Sequence, residues 1–200
     1  MKYILVGLHA SGKQEVLDKL KEYGCSVGKL FSNLEQEDKS IYNSKHYEYY
    51  NVSEINEIFE NKAYLFVQEL QCPEHFGACK YFEGLSKFEF ESNTFFAISP
   101  DQLLAMQPSN LINEPICFIW LDCSKSIRMN RYRAEKRGYD FQARENIEKL
   151  YINEFVKFLY SFNNAPVIYF DNEVPDRIAT ILMSLDKYPD LLPDFIKNFD

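Results

Sequence analysis

Residues 2–14 read KYILVGLHASGKQ, and this stretch decides the fold. Lys2 to Val6 is a short apolar run rich in β-forming residues, so it predicts a buried strand. From Gln14 to Tyr23 the apolar residues recur on one helical face, which predicts a helix. Between them, Gly7 to Lys13 matches the first seven positions of the phosphate-binding loop pattern GxxxxGK(S/T), which requires a strand before it and a helix after it.

The loop has the chemistry to hold phosphate groups. Its glycines allow backbone N–H groups to turn inward toward phosphate oxygens, and the start of the helix adds the positive end of its dipole. Lys13 supplies a positive charge and is a candidate catalytic residue. We predict that a nucleoside triphosphate binds here, and that the binding residues are Gly7, His9, Ala10, Ser11, Gly12, Lys13 and Gln14. The alternative is a plain turn between a strand and a helix.

Gln14 stands at the eighth position, where the pattern has Ser or Thr. The hydroxyl of that residue normally binds Mg²⁺. A glutamine side chain carries a carbonyl oxygen that can bind the ion directly or through a water, and Mg²⁺ keeps several waters in most protein sites. Gln14 is therefore a candidate magnesium ligand, and it is also the residue that argues most strongly against efficient catalysis.

A basic segment lies in an otherwise acidic chain. The formal net charge is −8, yet residues 125–149 carry about +4, with eight Lys and Arg against four Asp and Glu. Cations around a transferring phosphoryl group neutralise its developing charge. Arg131, Arg133 and Arg137 are therefore candidate catalytic residues, on a helix predicted over 124–137. The alternative is a solvated helix whose charges have no specific role.

The composition restricts the classes of function. The chain has 200 residues, of which 46% are hydrophobic, and this suits a folded α/β domain. The acidic net charge argues against general nucleic-acid binding. Five scattered cysteines without a CxxC pair predict neither a zinc site nor a disulfide framework, but a reducing, cytoplasmic location. No secretory signal pattern and no apolar run of about 18 residues is present, so we expect no membrane partner, and a monomer or homodimer.

Strands and helices alternate along most of the chain, which predicts an α/β fold with a parallel core sheet flanked by helices. Residues 29–91 break this alternation. We predict a single domain over 1–200, in which a core of 1–28 and 92–187 carries an inserted subdomain at 29–91 and an arginine-rich lid at about 131–148. The remaining elements are strands at 25–27, 47–52, 63–70, 95–98, 116–121 and 167–170, and helices at 53–59, 101–106, 143–162 and 176–185.

The sequence resembles the guanylate kinases, a family of P-loop nucleoside monophosphate kinases. The likeness covers about residues 2–185 and depends on the order of several short motifs. The segments similar to family motifs after the loop are 47–50 (YEYY), Glu69, 76–78 (FGA), 95–102 (FFAISPDQ), 131–140 (RYRAEKRGYD) and 169–172 (YFDN).

The resemblance implies phosphorylation of a nucleoside monophosphate, with ATP as donor and Mg²⁺ as cofactor. GMP and dGMP are the first expected acceptors. The resemblance also implies that Asn172 lies near the adenine of ATP. The acceptor residues that it implies are Tyr47, Glu69, Phe76 and Gly77.

The sequence departs from the family pattern at the acceptor site. Guanylate kinases hold the acceptor phosphate with two arginines, and no arginine occurs in residues 1–115. Lys29 and Ser32 are candidates in their place. A second lid arginine is replaced near Glu148, with Arg144 close by. Two alternatives therefore stay open: a module without catalysis that binds a nucleotide or a protein partner, and a P-loop kinase for another small acceptor.

Overall fold

In a computed structural model of the protein, the N-terminal strand β1 (Lys2–Val6) lies inside a parallel sheet. Its neighbours are β6 (Phe95–Ile98) and β7 (Ile116–Asp122), and β8 (Val167–Asp171) completes the order β6-β1-β7-β8. The residues that the structure describes are 1–34, 47–71, 80–106, 111, 114–134, 141–161, 165–171 and 174–192.

The sheet is buried on both faces because its strands are apolar at almost every position. In β1, Tyr3, Ile4, Leu5 and Val6 are all fully buried. Successive side chains of a strand point to opposite faces. Ile4 and Val6 accordingly belong to one hydrophobic core, whereas Tyr3 and Leu5 belong to another on the far side of the sheet.

Helices cover both faces. On the side of Tyr3 and Leu5 lie α1 (Lys13–Glu22) and α7 (Pro175–Lys187), which pack against each other. On the other side lie α4 (Pro100–Ala105) and α6 (Phe141–Ser161). The prediction of a parallel sheet flanked by helices is therefore confirmed.

A second sheet of four strands stands beside the first. It contains β2 (Leu30–Ser32), β3 (Tyr47–Tyr49), β4 (Tyr64–Gln71) and β5 (Lys80–Ser86), in the order β3-β2-β5-β4. The pairing of β2 with β3 is parallel, and the other two pairings are antiparallel. All four strands fall within residues 29–91, where the sequence predicted an insertion.

Several elements differ from the sequence prediction. The strand predicted over 47–52 ends at Tyr49, because the side chain of Asn51 accepts a hydrogen bond from the backbone N–H of Glu54 and starts the helix α2 (Val52–Glu60). The strand predicted over 25–27 is reduced to a single bridge between Val27 and Phe95.

Four of the described elements were not predicted: β2, β5, the short helix α3 (Lys87–Ser92) and a 3₁₀ helix at Pro189–Leu191. The predicted basic helix is α5 (Lys125–Ala134), and the rest of its predicted length, 135–137, lies outside the described residues. Among the described helices, none combines the length and the apolar composition that crossing a membrane requires.

Candidate phosphate-binding site

The phosphate-binding loop connects β1 to α1 as the pattern requires. Gly12, the residue before α1, adopts a φ of 88°, and Ala10 adopts a φ of 57°. Gly7 has no room for a side chain, because a Cβ atom there would lie 2.5 Å from the carbonyl oxygen of Leu121 and 2.7 Å from Ser11 Oγ. The backbone therefore makes the tight turn that brings N–H groups together at the start of a helix.

Lys13 is the first residue of α1, and its side chain folds back over the loop. The Nζ atom donates hydrogen bonds to the carbonyl oxygens of Gly7, at 2.7 Å, and of Leu8, at 3.2 Å. The ammonium group thus lies at the loop itself, within reach of the place where this loop pattern would hold a phosphate group.

The peptide groups of His9 are held by two helices that follow β7. The backbone N–H of His9 donates a hydrogen bond of 2.6 Å to Glu148 Oε2 on α6. Its carbonyl oxygen accepts a long hydrogen bond of 3.5 Å from Arg128 on α5. The His9 ring also meets the ring of Tyr132 edge-on, with centroids 6.1 Å apart. Helices α5 and α6 therefore contact the phosphate-binding loop directly.

Glu148 connects the loop to helix α4 through Arg144. Its carboxylate is buried, and Oε1 accepts a hydrogen bond of 3.2 Å from Arg144 Nε, one turn earlier on α6. Arg144 also pairs with Asp101 on α4 at 3.4 Å. A continuous series of contacts thus runs from Asp101 through Arg144 and Glu148 to the backbone of His9.

The side-chain carbonyl oxygen of Gln14 is a candidate metal ligand. The carbonyl oxygen of its side chain is buried and accepts no hydrogen bond from the part of the chain that the structure describes. A buried oxygen without a donor is costly unless a ligand or a water satisfies it. This residue fits a Mg²⁺ ion or one of the ion's waters, because Mg²⁺ accepts oxygen ligands.

The arginines of α5 have different surroundings. Arg128 is buried and pairs with the buried Glu145. Arg131 pairs with Glu15 of α1 at 3.3 Å, so it lies near the start of that helix. Arg133 is exposed, and Arg137 lies outside the described residues. Of the three predicted catalytic arginines, the structure therefore brings Arg131 near the loop.

Glu145 carries a strongly stabilised charge. Burial acts to raise the pKa of its carboxyl, but hydrogen bonds from Lys125 and Arg128 outweigh this effect and hold the pKa at about 2. The ion pair therefore persists at neutral pH and fixes α5 against α6.

On the second sheet, polar side chains meet at the middle of three strands. Glu83 of β5 lies opposite Ser32 of β2 on one side and Gln68 of β4 on the other. Residues directly opposite each other in an antiparallel pair share a face of the sheet. The predicted acceptor residue Ser32 is therefore a direct neighbour of Glu83, which in turn lies next to Gln68, and the sequence singled out neither of these two residues.

Helix α4 brings further polar groups to this face. Gln102 donates a hydrogen bond of 3.2 Å to Glu83 Oε2. Gln68 donates a hydrogen bond of 2.9 Å to the backbone oxygen of Asp101. We call this group the inter-sheet polar cluster, and its members are Gln68, Glu83, Asp101, Gln102 and Arg144.

Glu83 is the most perturbed member of the cluster. Burial raises the pKa of its carboxyl to about 7, despite the opposing hydrogen bond from Gln102. Asp101 raises this pKa further, whereas Arg144 lowers it. Near neutral pH the carboxyl can therefore donate a hydrogen bond when protonated, as well as accept one.

The Glu83→Gln variant is expected to become more stable than the wild type as pH rises from about 4.5 to about 7, and to keep that gain above pH 7. The folded carboxyl holds its proton up to the higher pH, whereas the unfolded one releases it at the lower, so the wild type loses stability across this window. The gain is on the order of 3 kcal/mol, measured by urea denaturation at pH 5 and pH 8.

The control for this experiment is Glu69→Gln, because Glu69 is exposed and pairs with Lys80. Its free energy of unfolding should stay within about 1 kcal/mol of the wild type at both pH values, as is usual for an exposed ion pair. A Glu83→Gln gain that is equally large at pH 5 and pH 8 would contradict a raised pKa.

The other predicted acceptor residues are spread out. Glu69 pairs with Lys80 at 2.5 Å, and strand alternation turns it away from the face that carries Gln68. Lys29 donates its backbone N–H to Glu89, and Tyr47 packs partly buried against the core. The predicted residues that lie outside the described part of the chain are Phe76, Gly77 and Asn172.

Comparisons with known proteins bear on the fold. No protein-family model matches the sequence, and a search of curated proteins returns no match. Among solved structures, a guanylate kinase from Anaplasma phagocytophilum is similar over 94% of this chain and 84% of its own, with 14% identity and a TM-score of 0.54. A shikimate kinase from Acinetobacter baumannii, solved with shikimate, is similar over 95% and 94% of the two chains, with 14% identity and a TM-score of 0.42.

At these identities the likeness establishes the fold and nothing finer. The guanylate kinase has the higher TM-score of these two matches and extends over both sheets of the chain. The parallel order of β6, β1, β7 and β8, with the phosphate-binding loop after β1, is consistent with it. The chain therefore has the fold of the P-loop kinases.

Proposed function

We propose that the protein transfers the γ-phosphoryl group of ATP to a nucleoside monophosphate, with GMP or dGMP as the first candidates. The observation that carries the proposal is the phosphate-binding loop between β1 and α1, with the ammonium group of Lys13 resting on it. The guanylate kinase likeness supports the choice of reaction by analogy of fold.

On the donor side, the proposal uses the loop, Lys13 and Arg131. The loop N–H groups bind the phosphate oxygens, and Lys13 turns from the carbonyl oxygens of Gly7 and Leu8 toward the phosphates. Arg131 lies beside Glu15 in the first turn of α1, so its guanidinium is near the same helix end. Bound Mg²⁺ would neutralise phosphate charge, with Gln14 as the residue that holds the ion or one of its waters.

In the transfer, the bond between the γ-phosphorus and its bridging oxygen breaks, and ADP keeps the electron pair. A bond forms between the γ-phosphorus and a phosphate oxygen of the acceptor, which becomes a nucleoside diphosphate. Protein groups contribute by placing the reactants and by compensating negative charge, since there is little covalent work for them to do.

On the acceptor side, the inter-sheet polar cluster carries polar groups that can bind a nucleobase. Gln68 carries a buried carbonyl oxygen that accepts no hydrogen bond from the described residues. Glu83 has a carboxyl that titrates near neutral pH. Amide and carboxyl groups of this kind can pair with the donors and acceptors on the edge of a purine. Within the cluster, Arg144 adds a positive charge on the side that contacts Glu148 and hence the loop.

The test is ADP formation from ATP and Mg²⁺ with GMP, dGMP, AMP, dTMP, dCMP and UMP in separate reactions. The proposal predicts turnover that requires an acceptor and is fastest with GMP or dGMP. A reaction without acceptor measures hydrolysis alone. Fastest turnover with a pyrimidine nucleotide would refute the purine assignment, and no turnover with any acceptor would refute the proposed reaction.

A second candidate is a nucleotide-binding module without catalysis. It is favoured by Gln14 at the position of the usual hydroxyl and by the Glu148 carboxylate on the His9 N–H. It predicts ATP binding without ADP formation in the same panel. The two candidates therefore separate in one set of reactions, together with a binding measurement.

A further inference from the structure

Glu148 places a negative charge on the phosphate-binding loop. Its Oε2 atom lies 2.6 Å from the backbone nitrogen of His9, and the side chain is only 1% exposed. The two residues are 139 positions apart in sequence, so the contact depends on how α6 packs on the loop. A carboxylate that accepts a backbone N–H in this way is a charge-assisted hydrogen bond, which is stronger than a neutral one.

The backbone N–H of His9 is a group of the kind that binds phosphate in such loops. In loops of this pattern the backbone N–H groups cradle the phosphate oxygens. One N–H cannot donate a full hydrogen bond to two anions, and two anions in the same place repel each other. The second phosphate-binding group, Lys13 Nζ, is turned to the loop's own carbonyl oxygens. Both groups are therefore satisfied by the protein itself.

We propose that the Glu148 carboxylate is an internal competitor of phosphate, which occupies the His9 N–H and must withdraw before a phosphate chain binds to the loop. This inference rests on the proposed function, because it assumes that the loop binds a nucleotide. It adds a way in which that site is regulated, because the affinity of the loop for a nucleotide depends on how firmly α6 holds Glu148 in place.

The neighbours of Glu148 determine how strongly its carboxylate competes with phosphate. Arg144 donates to the other carboxylate oxygen and also pairs with Asp101 of the inter-sheet polar cluster. A ligand that binds at the cluster and draws Arg144 toward itself weakens the hold on Glu148. The position of the carboxylate is thereby coupled to occupancy of the second sheet's site.

A purely stabilising role for Glu148 makes a different prediction. If the carboxylate only holds the loop in shape, removing it lowers both the stability and the affinity for phosphate ligands. If it competes, removing it lowers the stability, because two hydrogen bonds are lost, but tightens binding. The signs of the two effects therefore distinguish the roles.

The experiment is calorimetric titration of wild type, Glu148→Ala and Glu148→Gln with ADP and with inorganic pyrophosphate, alongside thermal unfolding of each. The expected result is at least a tenfold lower Kd for Glu148→Ala and a smaller gain for Glu148→Gln, which loses the charge but keeps an acceptor oxygen. Glu154→Gln is the control, because Glu154 is exposed on the same helix and pairs with Lys157. It should bind as the wild type does.

Equal or weaker binding by both Glu148 variants would overturn the inference and leave nucleotide binding intact. Absence of binding by every form would overturn both the inference and the proposed function.

A measurement on the wild type does not depend on the variants folding. With ¹⁵N and ¹³C labels, saturation with pyrophosphate should shift the amide signal of His9 and the carboxyl signal of Glu148 together. Shifts at Gly12 and Lys13 that leave both of these signals in place would show binding without displacement and would overturn the inference.

Discussion

Lys13→Ala is expected to lose roughly a hundredfold or more in the rate of ADP formation, and to bind ATP more weakly. The ammonium group belongs to the loop pattern itself, and its Nζ lies within 3.2 Å of two loop carbonyl oxygens. Removal of one positioned donor to a developing charge typically costs two to three orders of magnitude in rate, ~10²–10³. The measurement is acceptor-dependent turnover with saturating ATP, Mg²⁺ and GMP.

Lys19→Ala is the matched control, since Lys19 lies on the same helix but is partly exposed and pairs with Glu22 and Asp176. It should keep the wild-type rate within about a factor of two, as a surface change away from the site. Thermal unfolding of both variants verifies that they fold. Turnover by Lys13→Ala at the wild-type rate would show that the loop takes no part in the reaction.

Glu145→Ala is expected to lower the free energy of unfolding by about 3–5 kcal/mol. Glu145 is buried with Arg128 between α5 and α6, and Lys125 and Lys149 also pair with it. Truncation leaves the Arg128 guanidinium buried without its carboxylate, and an uncompensated buried charge is strongly destabilising. Urea denaturation at pH 7 measures the loss.

The control is Glu154→Ala, which removes an exposed ion pair with Lys157 and should cost less than about 1 kcal/mol. The pKa of Glu145 is lowered to about 2 from 4.5, so its stabilising effect is full above the higher value and is lost as pH falls through the lower one. The difference between wild type and Glu145→Ala should therefore shrink at pH 3. A difference below about 1 kcal/mol at pH 7 would contradict the importance of the buried pair.

The core elements could be predicted because their sequence signals are local. The strands β6 and β7 are continuous apolar runs, FFAI and ICFIWL, and the structure finds them where the sequence placed them. The loop could be predicted for the same reason, since one short pattern specifies the turn together with the strand before it and the helix after it. The fold class follows from these local elements in alternation.

The second sheet was harder to predict because its strands are short or mixed in composition. The β2 strand has only three residues, LFS. In β5, Glu83 and Gly84 interrupt the apolar pattern, although both are buried. Glu83 is tolerated there because Gln102 pairs with it and burial keeps its carboxyl partly protonated. None of these conditions is visible in the strand's own sequence.

The candidate site residues that the sequence did not single out depend on contacts between distant segments. Gln68 and Glu83 meet because β4 and β5 pair in one particular register. Glu148 could be read as an i,i+4 partner of Arg144, but its contact with the backbone of His9 could not. A residue's spacing along a helix predicts its neighbours on that helix, not the loop against which the helix packs.

The most direct test of the account is transfer of label from γ-³²P-ATP in the presence of Mg²⁺ and GMP, with the products separated by chromatography. Wild type is expected to form labelled GDP at least about a hundredfold faster than Lys13→Ala does. Label that appears only as inorganic phosphate, or that remains in ATP while ATP binds the protein, would contradict a phosphoryl transfer to the nucleotide.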